Sequence, residues 1–157
     1  MLTRKRAKKL RKYAKDFCDA VKSDFPELSL TAKKPLLRLY RRTGYASIAI
    51  KDELSPLFEK AKGGQYVIYG NYDEEKGVIG LFNILKEKPD ELKRTIRHEC
   101  LHFLLKESGL PYEDSDKLFL IMAIMYDASP YMLLTKKGGN NEQMPGMRQR
   151  VHRAARN

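Results

Sequence analysis

An α+β fold is predicted, on three observations. An amphipathic helical stretch opens the chain, short runs rich in β-branched and aromatic residues fill its middle, and two more helical stretches follow. The expected layout is an N-terminal helix, a small antiparallel sheet, a helix carrying the pattern H-E-x-x-H, and a second helix after it.

The elements follow in order. Leu10, Tyr13, Ala14, Phe17, Val21 and Phe25 recur at three- and four-residue steps, with lysines and arginines on the other face, and Pro26 ends that helix. Residues 36–50, broken by Gly44, predict a hairpin or two short strands. Gly63-Gly64 marks a turn, and residues 65–69 (QYVIY) read as a strand. Residues 70–77 (GNYDEEKG) read as a polar loop, and residues 78–85 (VIGLFNIL) as another strand. Pro89-Asp90 opens a helix whose buried stripe is Leu92, Ile96, Cys100, Phe103 and Leu104, stopped by Gly109 and Pro111. A further helix runs from about Ser115 or Asp116, with Ser115 a plausible cap, to Met125. Beyond Gly138 the polar, glycine-containing sequence predicts a mobile tail.

At 157 residues the chain is one domain's length and can bury a core without disulfides. No apolar run approaches the ~20 residues that cross a bilayer, and the N-terminus lacks a secretory apolar stretch, so a cytoplasmic protein with no membrane partner is expected. Cys18 and Cys100 form no CxxC pair, which excludes a four-cysteine zinc finger; two reduced, partly buried thiols are expected.

The net charge of +11 is concentrated at the ends. Residues 1–15 carry eight basic residues and no acid, and residues 136–157 carry six and one acid, which leaves 16–135 slightly acidic. Such ends attract polyanions by counterion release, so DNA or RNA is an expected partner.

His98-Glu99-Cys100-Leu101-His102 is the pattern that carries chemistry, and it holds two of the chain's three histidines; the third, His152, lies in the tail and reads as solvated. Positions i and i+4 stack on one helix face, so both imidazoles can grip one metal ion. Glu99, one step round, can reach a water on that ion without ligating it and serve as general base. Zinc is the expected ion. Cys100 points about 160° away from His102, at 100° per residue, and belongs to the core stripe. Catalytic zinc needs a third protein ligand. Glu107 is off the ligand face, whereas the chain reversal near Gly109–Pro111 can return Glu113, Asp114 or Asp116 to the site, and spacing does not choose among these three. Tyr112 and Tyr126 are candidate oxyanion donors, with aromatic packing as the plainer role. Phe119, Ile121, Met122, Ile124 and Met125 read as core, and Arg97 as a salt-bridging surface charge.

The segment HECLHFLLKESGLPYEDSDKLFLIMAIMYDASPY resembles the core of SprT-like zinc metallopeptidases. Gly109, Tyr112, Asp114, Asp116, Phe119 and Asp127-Ala128 fall at matching intervals without gaps. The resemblance implies a zincin-like fold and a zinc-dependent endopeptidase acting on loosely structured protein, in some members on DNA-associated protein. It places Asp114 where the family carries its third ligand, usually a histidine, and makes 78–85 the edge strand on which an extended substrate pairs. Residues 1–60 match only loosely, and the cysteine-rich zinc ribbon that follows the domain in many members has no counterpart. The organisation expected is a basic helix over 1–25 packed on the domain, a metallopeptidase core over 26–135 and a basic tail over 136–157. Alternatives are a metallopeptidase dedicated to one partner such as a repressor, a nucleic-acid-binding protein with a structural metal site, and an Fe(II) centre. Glu99 beside an open metal position favours hydrolysis.

Overall fold

A computed structural model describes residues 3–30, 33–47, 65–85, 88–128 and 135–136. In chain order the elements are α1 (Arg4–Asp24), a short 3-10 helix (Pro26–Leu30), β1 (Leu36–Leu39), β2 (Gly44–Ser47), β3 (Gln65–Ile68), β4 (Gly70–Asp73), β5 (Val78–Leu81), α2 (Pro89–Glu107), α3 (Lys117–Met125) and β6 (Thr135–Lys136). The fold is α+β. The chain divides into two compact units, Met1–Gly44 with Tyr69–Met132, and Tyr45–Ile68 with Leu133–Asn157, so the stretch 26–135 is shared between them. The second unit holds the sheet β2-β3-β6, in which β3 and β6 run antiparallel with Tyr66 opposite Lys136. Gly63-Gly64, His152 and most of the tail lie outside the described residues.

The first unit is built around α2. Its start is set by Pro89 in the first turn, where the missing N–H costs nothing, and by Asp90 and Glu91, whose charges complement the helix dipole. Its end is set by Gly109, which takes φ +69 while Leu110 N–H donates to the Leu105 carbonyl at 2.9 Å. Every residue from His98 to Leu105 is buried, so the C-terminal half of α2 is covered on all sides rather than along one stripe. The covering elements are α1, β4, β5 and α3.

α1 begins where the Thr3 hydroxyl accepts the Arg6 N–H at 3.1 Å, and it buries Ala14, Cys18 and Val21. It stops at Phe25, ahead of Pro26, as its periodicity implied. The thiols of Cys18 and Cys100 are free and buried where α1 meets α2, with Cys100 Sγ 3.9 Å from the Ala14 carbonyl. A hydrogen bond with Cys18, together with burial, pushes the Cys100 thiol well above its ordinary range, which disfavours the reactive thiolate. Arg97 bridges elements: its guanidinium donates to the Tyr13 hydroxyl at 3.0 Å and meets the Asp127 carboxylate at 2.7 Å.

The sheet of this unit corrects three expectations. Its order is β1-β5-β4, with β1 parallel and β4 antiparallel to β5, so it is mixed rather than antiparallel. A strand reached by a long crossover can run parallel, whereas a hairpin partner cannot. Accordingly β1 and β2 are two short strands in different sheets and form no hairpin. Secondly, the strand expected over 78–85 ends at Leu81 and lies in the centre of the sheet, not at its edge. Val78-Ile79-Gly80-Leu81 is buried throughout, as a strand covered on both faces should be, and Asn83 at φ 52 turns the chain away. Thirdly, only Glu74–Gly77 of the expected loop is a turn. Gly70–Asp73 is the edge strand β4, where polar residues are tolerated because one side needs no strand partner.

α3 starts with Asp116 as its cap rather than Ser115, and it buries Phe119, Met122 and Ala123, whereas Ile121, Ile124 and Met125, expected in the core, are exposed. No helix among the described residues is long and apolar enough to cross a membrane. Because α2 is enclosed, Leu104→Ala should leave a cavity and lower unfolding free energy by about 2–5 kcal/mol, measured by denaturant titration.

Candidate metal centre

His98 and His102 stand on consecutive turns of α2, and Asp114, from the loop that leads to α3, meets both imidazoles. Their rings are 4.7 Å apart at 78°. The Nε2 atoms lie 3.1 Å from each other, and Asp114 Oδ1 lies 3.0 Å from His98 Nε2 and 3.4 Å from His102 Nε2. Three donor atoms therefore converge on one point, and they are the only such cluster of three metal-ligating groups among the described residues.

Phe119 fixes both rings. It stacks on His102 at 4.1 Å and 16°, and meets His98 edge-on at 5.0 Å and 82°. His102 Nδ1 donates to the Tyr112 main-chain carbonyl at 2.5 Å. A carbonyl only accepts, so the proton of the neutral ring must sit on Nδ1, which leaves the Nε2 lone pair facing the cluster. Burial alone would raise the Asp114 carboxyl, but the imidazoles of His102 and His98 beside it outweigh that effect and hold the group well below the usual carboxylate range. The aspartate is thus an anion aimed at two imidazoles.

Glu99 does not join the cluster. Its side chain is buried, and Oε1 has no hydrogen-bond partner. Burial pushes its carboxyl up to about 8, with His102 opposing and the Asp114 charge adding to the rise.

The donor set fits a divalent ion. In a tetrahedral zinc site with bonds of ~2.0–2.1 Å, neighbouring ligand atoms are roughly 3.3 Å apart. The observed separations of 3.0, 3.1 and 3.4 Å bracket that length. Two imidazole nitrogens and one carboxylate oxygen are ordinary zinc donors.

The remaining acids are elsewhere. Asp116 Oδ2 accepts the Glu113 N–H at 2.8 Å and so closes the turn before α3. Glu107 pairs with Lys33 at 2.7 Å and takes a hydrogen bond from Tyr72 at 3.4 Å. Neither tyrosine hydroxyl faces the cluster: Tyr112 donates to Glu74, and Tyr126 donates to Asp24 at 2.7 Å while packing edge-on against Phe17 and Phe25.

Two contributors had little signal in the sequence. Phe119 reads as core there, and the Tyr112 carbonyl belongs to the backbone. Gly70 had none, since it fell in a supposed loop. A Cβ built on Gly70 would lie 2.6 Å from Glu99 Oε1 and 2.7 Å from Thr95 Cγ2, so β4 reaches the catalytic candidate only because this residue has no side chain.

Compared with known proteins, the chain matches no protein-family model, no curated protein and no solved structure. Its chemistry must be judged from these side chains.

Gly70→Ala should push β4 off α2 and destabilise the protein by about 1–3 kcal/mol, read from thermal or denaturant unfolding. Adding Glu99→Ala removes one of the two obstacles and should restore part of that loss.

Proposed function

We propose that the protein is a zinc-dependent endopeptidase of SprT-like type. His98, His102 and Asp114 hold the ion, and Glu99 is the general base. The observation that carries this reading is Glu99 itself: a buried carboxyl with an unbonded oxygen, one residue from a metal-type donor cluster. A purely structural site has no use for a base in that position.

A zinc ion held there supplies Lewis acidity, which polarises a carbonyl and lowers the pKa of water from ~15.7 towards ~7. The chain's own groups do the rest. The charge of such an ion would favour the ionised form of the Glu99 carboxyl, which could then take the proton of the attacking water and later pass it to the leaving amine. Phe119 and the Tyr112 carbonyl keep the imidazoles in one orientation, so the donors need no reorganisation. Asp114 adds the negative charge that makes the donor set favourable to a dication.

An extended substrate is best accommodated on β4, now that β5 is central. Phe82 N–H donates to the Tyr69 carbonyl at 2.7 Å, and bonding alternates along an antiparallel pair. The peptide groups of Asn71 and Asp73 therefore face β5, while those of Gly70 and Tyr72 face outward, and Gly70 itself lies against Glu99. Backbone pairing there would select loosely structured protein rather than a defined side chain. The two free thiols suit a reducing, cytoplasmic setting.

Protein purified without chelator should contain about one zinc per chain, and His98→Ala should lose it. Glu99→Gln should keep the zinc yet cleave a denatured reporter protein about 100- to 10,000-fold more slowly. Equal cleavage by wild type and Glu99→Gln would overturn the reading.

A further inference from the structure

The metal centre leaves the basic N-terminal helix unexplained. The structure sorts its eight cations into two groups. Three are committed. Lys12 pairs with Asp16 at 2.5 Å, Lys15 pairs with Asp19 at 2.6 Å, and an Arg6 guanidinium nitrogen donates to the Ile84 carbonyl at 3.0 Å. The other five, Arg4, Lys5, Lys8, Lys9 and Arg11, are exposed, and no carboxylate among the described residues pairs with them. They occupy the first two turns of α1, over roughly 10 Å of helix at 1.5 Å per residue. The positive end of the helix dipole adds to their field.

We propose that this end of α1 binds the phosphodiester backbone of a nucleic acid through Arg4, Lys5, Lys8, Lys9 and Arg11. Long flexible cations with no acidic partner among the described residues, on a stretch of helix that itself carries no acid, neutralise closely spaced phosphates and release their counterions. A bilayer is the poorer partner. A helix lying in a membrane interface must offer an apolar face, and that face of α1 is already spent: Ala14, Cys18 and Val21 are buried, and Leu10, Tyr13 and Phe17 pack on the core.

The surface is also separate from the metal centre. α1 meets α2 through Cys100 and Arg97, and Cys100 points about 160° from His102 at 100° per residue. α1 thus packs on the side of α2 away from His102. The inference does not rest on the peptidase reading.

The test uses the full chain and a duplex DNA of arbitrary sequence, with affinity followed by fluorescence anisotropy from 50 to 200 mM salt. Replacing Arg4, Lys5, Lys8, Lys9 and Arg11 with Gln keeps helix propensity and should flatten the slope of log affinity against log salt by about 4 to 5. Affinity at the middle of that range should fall at least 100-fold. A second variant removes both internal pairs without changing net charge: Lys12→Gln, Asp16→Asn, Lys15→Gln and Asp19→Asn together. Its slope should match wild type. His98→Ala should bind the duplex like wild type, which separates failure of this surface from failure of the metal centre. Circular dichroism confirms that α1 still forms. An unchanged slope in the five-site variant, or equal binding to phosphatidylserine vesicles and duplex, would overturn the proposal.

Discussion

Two imidazoles and a carboxyl are buried in the centre of α2, and the rest of the unit is arranged around that constraint. Polar groups inside a protein cost free energy unless they are partnered. His102 is satisfied by the Tyr112 carbonyl, both rings rest on Phe119, and Asp114 brings a counter-charge. Glu99 is left with one oxygen unsatisfied. Asp114 Oδ1 is likewise buried without a hydrogen-bond partner, so two carboxylate oxygens at this cluster stand unsatisfied, which distinguishes the motif from a packed pair of core histidines.

Enclosure follows from the same constraint. A surface helix shows one apolar stripe, but here eight successive residues from His98 to Leu105 are covered. α1 seals the Cys100 side, the β4–β5 pair approaches over Gly70, and α3 closes the ligand side with Phe119. Each wall helps to keep the buried imidazoles and carboxyl in a low-dielectric setting, where charge interactions are stronger than in water.

The helices were legible in the sequence because their signals are local. Three- and four-residue spacing, Pro26, Pro89 and Gly109 marked their bounds, and the i, i+4 histidines announced their own geometry. Strand pairing is not local. Nothing in Val78–Leu81 says whether its neighbours lie on one side or both, although burial on both faces is hinted at by its unbroken apolarity. β4 was hidden because an edge strand can be as polar as a loop. Within the site, spacing left Glu113, Asp114 and Asp116 equivalent; their distinction comes from the turn that Asp116 closes with the Glu113 N–H, which brings Asp114 to the imidazoles.

The brace on His102 has a genetic consequence. Its acceptor is a peptide oxygen, which every amino acid at position 112 supplies. Codon changes there can alter the ring and hydroxyl, yet they cannot delete the contact that sets the tautomer while the loop keeps its path. Scanning by side-chain replacement would therefore score this position as dispensable to the imidazole's orientation, and only a chemically edited backbone, such as an ester or thioamide link, would expose what it contributes.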